Sequence, residues 1–260
     1  MVARQRARRG VTVFRLAGAP VNLQYSWFLV SAAIVVMFGP QVEGIFPALG
    51  LAAYGVAFAY ALILLLSVLA HEVAHALTAR ALGWPPTEIE LNLWGGHTQF
   101  NVGVPSPSTS LSIALAGPAA NLAIAGIGWF LITVLEPLGV VGMLASMTVL
   151  MNFLVGVFNA LPGLPLDGGR IVESAVWAAT GDQDRGTLAA GWAGRFVVLL
   201  VLGVVTALLT VDLQRINLIV VVIVVMVSVV LWLGASDAIR HARARLRHRR
   251  TPPPSSSTSE

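Results

Sequence analysis

Three ionisable residues stand inside a long apolar run: His71, Glu72 and His75, in the stretch LSVLAHEVAHALTAR, residues 66–80. Ionisable groups in such surroundings are costly, which makes them candidates for function. Residues four apart on a helix lie one turn apart on the same face, so His71 and His75 can offer two imidazoles to one divalent ion. Glu72 adjoins them but points about 100° away. It need not ligate, and can instead take a proton from a water held at the ion. His-Glu-x-x-His on a helix is the signature of zinc-dependent peptide hydrolysis. The alternative is two histidines packed in a helix bundle without metal.

Two histidines leave zinc short of a ligand, because a catalytic site usually has three protein ligands and a water. The chain has no cysteine, so cysteine clusters and disulfides are excluded. Asp167, in FNALPGLPLDGGR, is the best remaining donor. Pro162 and Pro165 break any helix there, and Gly168-Gly169 allow close backbone approach. An aspartate on such a turn could reach a metal. It could equally cap a helix beginning near Gly168. The local sequence leaves both open.

The elements that must position these residues are membrane helices. Of the 260 residues 57% are hydrophobic and only 11% charged, with a mean hydropathy of +0.81. Soluble domains average about 25% charged residues. Six apolar runs approach the roughly 20 residues of a spanning helix: about 23–38, 51–82, 111–135, 140–161, 194–211 and 216–235. The expected fold is an all-α polytopic membrane protein with a short membrane-associated β element. Residues 83–110, containing TEIELNLWGGHTQFNVGV, alternate in polarity and predict a strand or hairpin, re-entrant at membrane depth. Residues 168–190 predict a short amphipathic helix and a turn. If the second run is helical up to Gly83, His71 lies about 18 Å and His75 about 12 Å from that end. Water must then reach them through a polar cavity.

Charge placement sets the expected topology. All sixteen cationic residues are arginine. Arg4, Arg6, Arg8, Arg9 and Arg15 precede the first run, and six arginines from Arg240 to Arg250 follow the last. Arg80, Arg170, Arg185 and Arg195 lie on the same side, against Arg215 alone on the other. By the positive-inside rule both termini are cytoplasmic and the protein is a multi-pass protein of the cell membrane. The basic ends are topology determinants or contacts to anionic lipid, so no nucleic-acid partner is expected. Because no small-residue cleavage site follows it, the first run is read as a retained helix. The expected organisation is a basic segment over 1–20, a transmembrane domain over 21–238, and a basic then disordered tail over 239–260.

HEVAH in the second run, AGPAAN in the third and NALPGLPLDGGR at the end of the fourth together resemble the site-2 protease family of intramembrane zinc metalloproteases. The resemblance covers roughly residues 11–235. It implies that His71, His75 and Asp167 bind one zinc ion, that Glu72 is the general base, and that the second to fourth helices form a three-helix catalytic core. Asn159 matches the asparagine opening the family's second motif, which implies a role in holding substrate or the tetrahedral intermediate. Gly95 and Gly96 match a Gly-Gly element beside the cleft, implying substrate binding by strand addition. The resemblance also implies single-pass transmembrane substrates, such as a membrane-bound anti-sigma factor. No PDZ insertion or CBS pair is recognisable, so a compact six-span form is expected.

The remaining polar residues have two readings each. His97 could touch metal or substrate, or be a loop histidine with a structural hydrogen bond. Asn121 and Asn152 are intramembrane amides whose default role is helix–helix hydrogen bonding. Asn152 shares a face with Asn159 and is an auxiliary candidate. Gly117 and Pro118 are read as packing and kink residues. Two rival functions remain: an ion transporter using the same polar residues, and a non-catalytic scaffold retaining the metal site. A zinc hydrolase of non-peptide substrates is a further alternative.

Overall fold

The computed structural model describes residues 10–16, 18–92, 95–99, 103–211 and 218–250. The expectations for Arg4, Arg6, Arg8, Arg9, Arg215 and the tail 251–260 lie outside these residues. The order is β1 (Gly10–Leu16), β2 (Ala19–Gln24), α1 (Ser26–Ile45), α2 (Ala52–Ala81), β3 (Glu88–Asn92) and β4 (Gly95–Gln99). There follow α3 (Pro107–Leu135), α4 (Gly139–Ala160), α5 (Asp167–Thr180), α6 (Gln183–Val211) and α7 (Leu218–Arg250). Among the described residues, six helices are long and apolar enough to cross a membrane. The protein is a mostly helical, multi-pass membrane protein with one small sheet.

The boundaries differ from the sequence reading in informative ways. The first helix runs through Gly39-Pro40 to Ile45 instead of stopping there. Proline costs one ladder bond, and packing supplies what that loses. Gly39 is buried against the Tyr54 ring of α2, where a Cβ would lie 2.6 Å from Cε1. The last two spanning helices overrun their apolar windows at one end each: α6 starts at Gln183, and α7 carries the arginine run to Arg250. Hydropathy marks where lipid is, and helices continue past it wherever capping and ion pairs allow.

The chain forms two compact units. The first holds the sheet, α1, α2, α4 and all but the opening turn of α3. Its sheet has the order β1-β2-β3-β4. β1 and β2 are an antiparallel hairpin, which the sequence reading did not anticipate, and β2 pairs parallel with β3. β3 and β4 are antiparallel, with Ile89 opposite Thr98 and Leu91 opposite Gly96. Side chains alternate across a strand, so Ile89, Leu91, Gly96 and Thr98 share one face. That face packs on α2: Val21, Ile89 and Leu91 form a buried cluster with Val68 and Ala76. The other face is polar, where Asn22 donates to Glu88 and Gln24 donates to Glu90.

Helix α2 extends for 30 residues, about 45 Å at 1.5 Å per residue. It stops where Gly83 takes a φ of +76°, the left-handed conformation that glycine adopts without steric cost. Trp84 N–H then returns to the Ala79 carbonyl at 2.9 Å, and Pro85-Pro86 prevent continuation.

In the second unit the PGLPLDGG segment is gripped by glycine contacts. Leu166 stands at the N-cap position of α5 and Asp167 at its first helical position. A Cβ on Gly169 would lie among the backbone atoms of Gly163 and Leu164, and one on Gly163 would lie 2.8 Å from Gly194 N of α6. Leu164 N–H donates to Ala190 O, and the Leu164–Pro165 peptide is cis. α5 is the expected amphipathic helix and ends at Gly181, whose φ is +70°. Asp184, near the start of α6, pairs with Arg245 and Arg249 of α7.

Candidate metal centre

α2 presents two neighbouring stripes to two different partners. Ser67, His71 and His75 recur every four residues on one stripe, and Val68, Glu72 and Ala76 on the next. The first stripe meets α3 and the second meets the sheet. His71, Glu72 and His75 are all nearly inaccessible, at 4%, 6% and 6% exposure. Adjacency in sequence thus becomes division of labour in space: the histidines and the glutamate are buried against different elements.

The hydrogen bonds fix the imidazole tautomers. His75 Nδ1 lies 2.7 Å from the Ile113 carbonyl, which can only accept. Nδ1 must therefore carry the proton, and in the neutral ring the lone pair lies on Nε2. Ile113 is one residue before the Ala114 carbonyl that Pro118 cannot bond, so the α3 ladder is open beside this contact. His71 Nδ1 lies 2.7 Å from Asn121 Oδ1. The Asn121 amide nitrogen faces Ser67 O at 3.0 Å, Ser67 Oγ at 3.0 Å and Asn152 Oδ1 at 2.8 Å. It must donate there, so its oxygen accepts from His71, which again places the ring's lone pair on Nε2. Asn152 is held in turn by donating to Thr148 O at 2.9 Å. A chain of amides across α2, α3 and α4 therefore orients one imidazole, and a helix carbonyl orients the other.

The two rings are edge to face with centroids 4.6 Å apart. Both Nε2 atoms converge on Gly117 of α3. A Cβ there would lie 2.6 Å from His71 Nε2 and nearer still to His75 Nε2. Gly117 is thus more than the packing residue its sequence suggested: it keeps a side chain out of the space that the two lone pairs face. Two oriented imidazoles, with both Nε2 atoms facing a cradle that one methyl group would fill, suit a borderline divalent ion such as zinc.

The other predicted residues are placed as follows. Glu72 receives a hydrogen bond from Thr98 Oγ1 of β4 at 2.6 Å. Gly96 lies against its carboxylate. His97 is exposed and, by strand alternation, on the face away from Glu72. Gly95 opens β4 with a φ of +116°, a conformation that favours glycine. Asn159 donates to the Val155 carbonyl one turn earlier at 3.0 Å. Asp167 belongs to the second unit, in the first turn of α5. Sequence reasoning missed Thr98, Ser67 and the Ile113 carbonyl, and undervalued Asn121. The alternation along β4 could have signalled Thr98, but no local pattern marks a backbone carbonyl.

Comparison with known proteins gives a consistent picture. The family model described as Peptidase family M50 matches residues 59–145 and 136–203. The chain is 36% identical over 202 residues to "Putative zinc metalloprotease Rip3" of Mycobacterium tuberculosis, covering 75% of this chain and 51% of that protein. It is 35% identical over 193 residues to a protein of the same description, sll0528, of Synechocystis, covering 71% and 49%. It thus spans about half the length of these curated relatives. The solved site-2 protease from Methanocaldococcus jannaschii superposes with a TM-score of 0.58 at 25% identity, covering 88% of this chain and 95% of that one.

Proposed function

The chain belongs to peptidase family M50, the site-2 protease family, and from that membership we propose that it is a zinc metalloendopeptidase cleaving peptide bonds within or near transmembrane segments of single-pass membrane proteins. The observation that carries the reading is the pair of buried, tautomer-fixed imidazoles converging on Gly117, with a carboxylate on the next stripe of the same helix. The proposed ligands are His71 and His75 through Nε2 and Asp167 from the head of α5. Bound zinc would supply a Lewis acid that makes water acidic near neutral pH and polarises the scissile carbonyl.

The chain's own residues do the rest. Glu72 takes the proton of the attacking water and returns it to the leaving amine. Burial keeps that proton transfer out of bulk solvent. Asn159 assists the developing oxyanion. Gly95 and Gly96, on the outer strand of the sheet, leave room for an extended substrate backbone. The substrate helix must unwind before cleavage, because a helical peptide bond is shielded by its own turn. Its class is a membrane-bound regulator such as an anti-sigma factor. Both termini are cytoplasmic in this reading, on the arginine distribution.

The test is Glu72→Gln in purified protein, with cleavage of a single-pass substrate and bound zinc measured together. The expected result is unchanged zinc and abolished, otherwise chelator-sensitive, cleavage. Full activity in Glu72→Gln removes the base. Ion flux in liposomes without chelator-sensitive cleavage supports the transporter instead.

A further inference from the structure

We propose that strand β4 is a positioning element for Glu72: Thr98 fixes the carboxylate through one oxygen, and Gly96 keeps open the space in which the other works. This rests on Glu72 being the base and adds to that reading the residues that aim it. A glutamate has three rotatable side-chain bonds, and proton transfer requires the carboxylate within hydrogen-bond reach of the water. Something must hold it there, and α2 alone does not.

The structure supplies the holder. Thr98 Oγ1 donates to Glu72 Oε2 at 2.6 Å, and Thr98 is the hydrogen-bond partner of this buried carboxylate among the described residues. The hydroxyl is itself set by the fold. Thr98 sits opposite Ile89, which is fully buried, and two residues along, Gly96 sits opposite the buried Leu91. Ile89 and Leu91 are clamped to Val68 and Ala76, one turn before and one turn after Glu72 on the same stripe of α2. The register of the β3–β4 ladder and the packing of the sheet on α2 thus determine the position of one oxygen atom. Slipping β4 by one residue would turn Thr98 to the face away from Glu72.

Gly96 completes the device. A Cβ at position 96 would lie 2.6 Å from Glu72 Cδ and closer to Oε1. The atoms it meets are Cγ, Cδ and Oε1 of the Glu72 side chain, and no backbone. Alanine there would therefore displace the carboxylate. The same glycine that offers substrate an open backbone is, on its inner face, the clearance for the base.

The experiment compares wild type, Thr98→Val, Thr98→Ser, Gly96→Ala and Glu72→Gln on a single-pass fusion protein that the wild-type enzyme cleaves. kcat and KM are separated, and zinc content, melting temperature and affinity for a peptide hydroxamate are measured alongside. A hydroxamate gives its proton to the base, so its binding reports the position of Glu72 without turnover. Misplacement of a catalytic group by about 1 Å costs on the order of a hundredfold. Thr98→Val is expected to lose about tenfold to a hundredfold in kcat and to weaken hydroxamate binding in parallel, with KM, zinc content and melting temperature retained. Thr98→Ser restores both, and Gly96→Ala lowers kcat and hydroxamate affinity as Thr98→Val does, with KM altered as well because Gly96 also borders the proposed substrate strand. The proposal is overturned if Thr98→Val keeps kcat and hydroxamate affinity within twofold, if serine restores nothing, or if the losses follow zinc or melting temperature. An inactive Glu72→Gln beside an unimpaired Thr98→Val rejects the positioning role alone. An active Glu72→Gln rejects the base itself.

Discussion

Replacing Asn121 by alanine should weaken zinc binding although Asn121 is not a ligand. Its side chain is fully buried and joins three helices. The substitution removes the acceptor 2.7 Å from His71 Nδ1, and it removes the donor from Ser67 Oγ and from Asn152 Oδ1. A buried N–H left without an acceptor costs about 1–3 kcal/mol. Because the ring must keep that proton on Nδ1 to offer Nε2, this cost falls on the metal-competent tautomer. At about 1.4 kcal/mol per factor of ten, zinc affinity should drop roughly fivefold to a hundredfold. That range agrees with the tenfold to hundredfold typical of partners that orient metal-binding histidines. Stability should fall as well, because four intramembrane hydrogen bonds averaging about 0.6 kcal/mol each are removed. The assay is competition for zinc against a chromogenic chelator in detergent, beside a melting curve. Asn152→Ala, which removes only the support behind Asn121, should give an intermediate effect. If Asn121→Ala folds and binds zinc within twofold of wild type, the amide chain does not set the His71 tautomer.

Three further outcomes are expected. Gly117→Ala puts a methyl group into the space faced by both Nε2 atoms and should reduce zinc affinity at least about tenfold; overpacking adds about 1–3 kcal/mol of destabilisation, so chelator competition and melting are both read. Asp167→Ala should lower the zinc-to-protein ratio measured by atomic spectroscopy, and an unchanged ratio removes Asp167 from the ligand set. Asp184→Ala breaks contacts to Arg245 Nε at 2.5 Å and Arg249 Nη2 at 3.2 Å, where the aspartate side chain is 4% exposed but the arginines are 55% and 65% exposed. Solvent screening on the arginine side limits the loss to about 1–2 kcal/mol, visible as a lower melting temperature with zinc content unchanged.

Much of the fold was legible because lipid imposes it. Six helices follow from six apolar runs, since a backbone in hydrocarbon must satisfy its own hydrogen bonds. Helix ends were less legible. Gly83 announced the end of α2, whereas Gly39-Pro40 looked like an end and was not, because burial against Tyr54 holds α1 through it. The β1–β2 hairpin was missed because the basic character of its surroundings masked a short strand pattern, and its partner β3 lies more than sixty residues away.

At the candidate site, the sequence by itself determined the chemistry available. His71 and His75 share a face and Glu72 does not, because helical geometry fixes these directions once the segment is helical. It also put Asp167 just after a segment that Pro162 and Pro165 keep from continuing as helix. Only the tertiary structure decided how those groups are held. Asn121 and Ile113 choose the tautomers, Gly117 keeps the space open, and Thr98 grips the base, all through contacts made 26 to 50 residues away in the chain. Such contacts depend on register, helix approach and the direction of single hydrogen bonds. None of these is encoded in the spacing of a local motif.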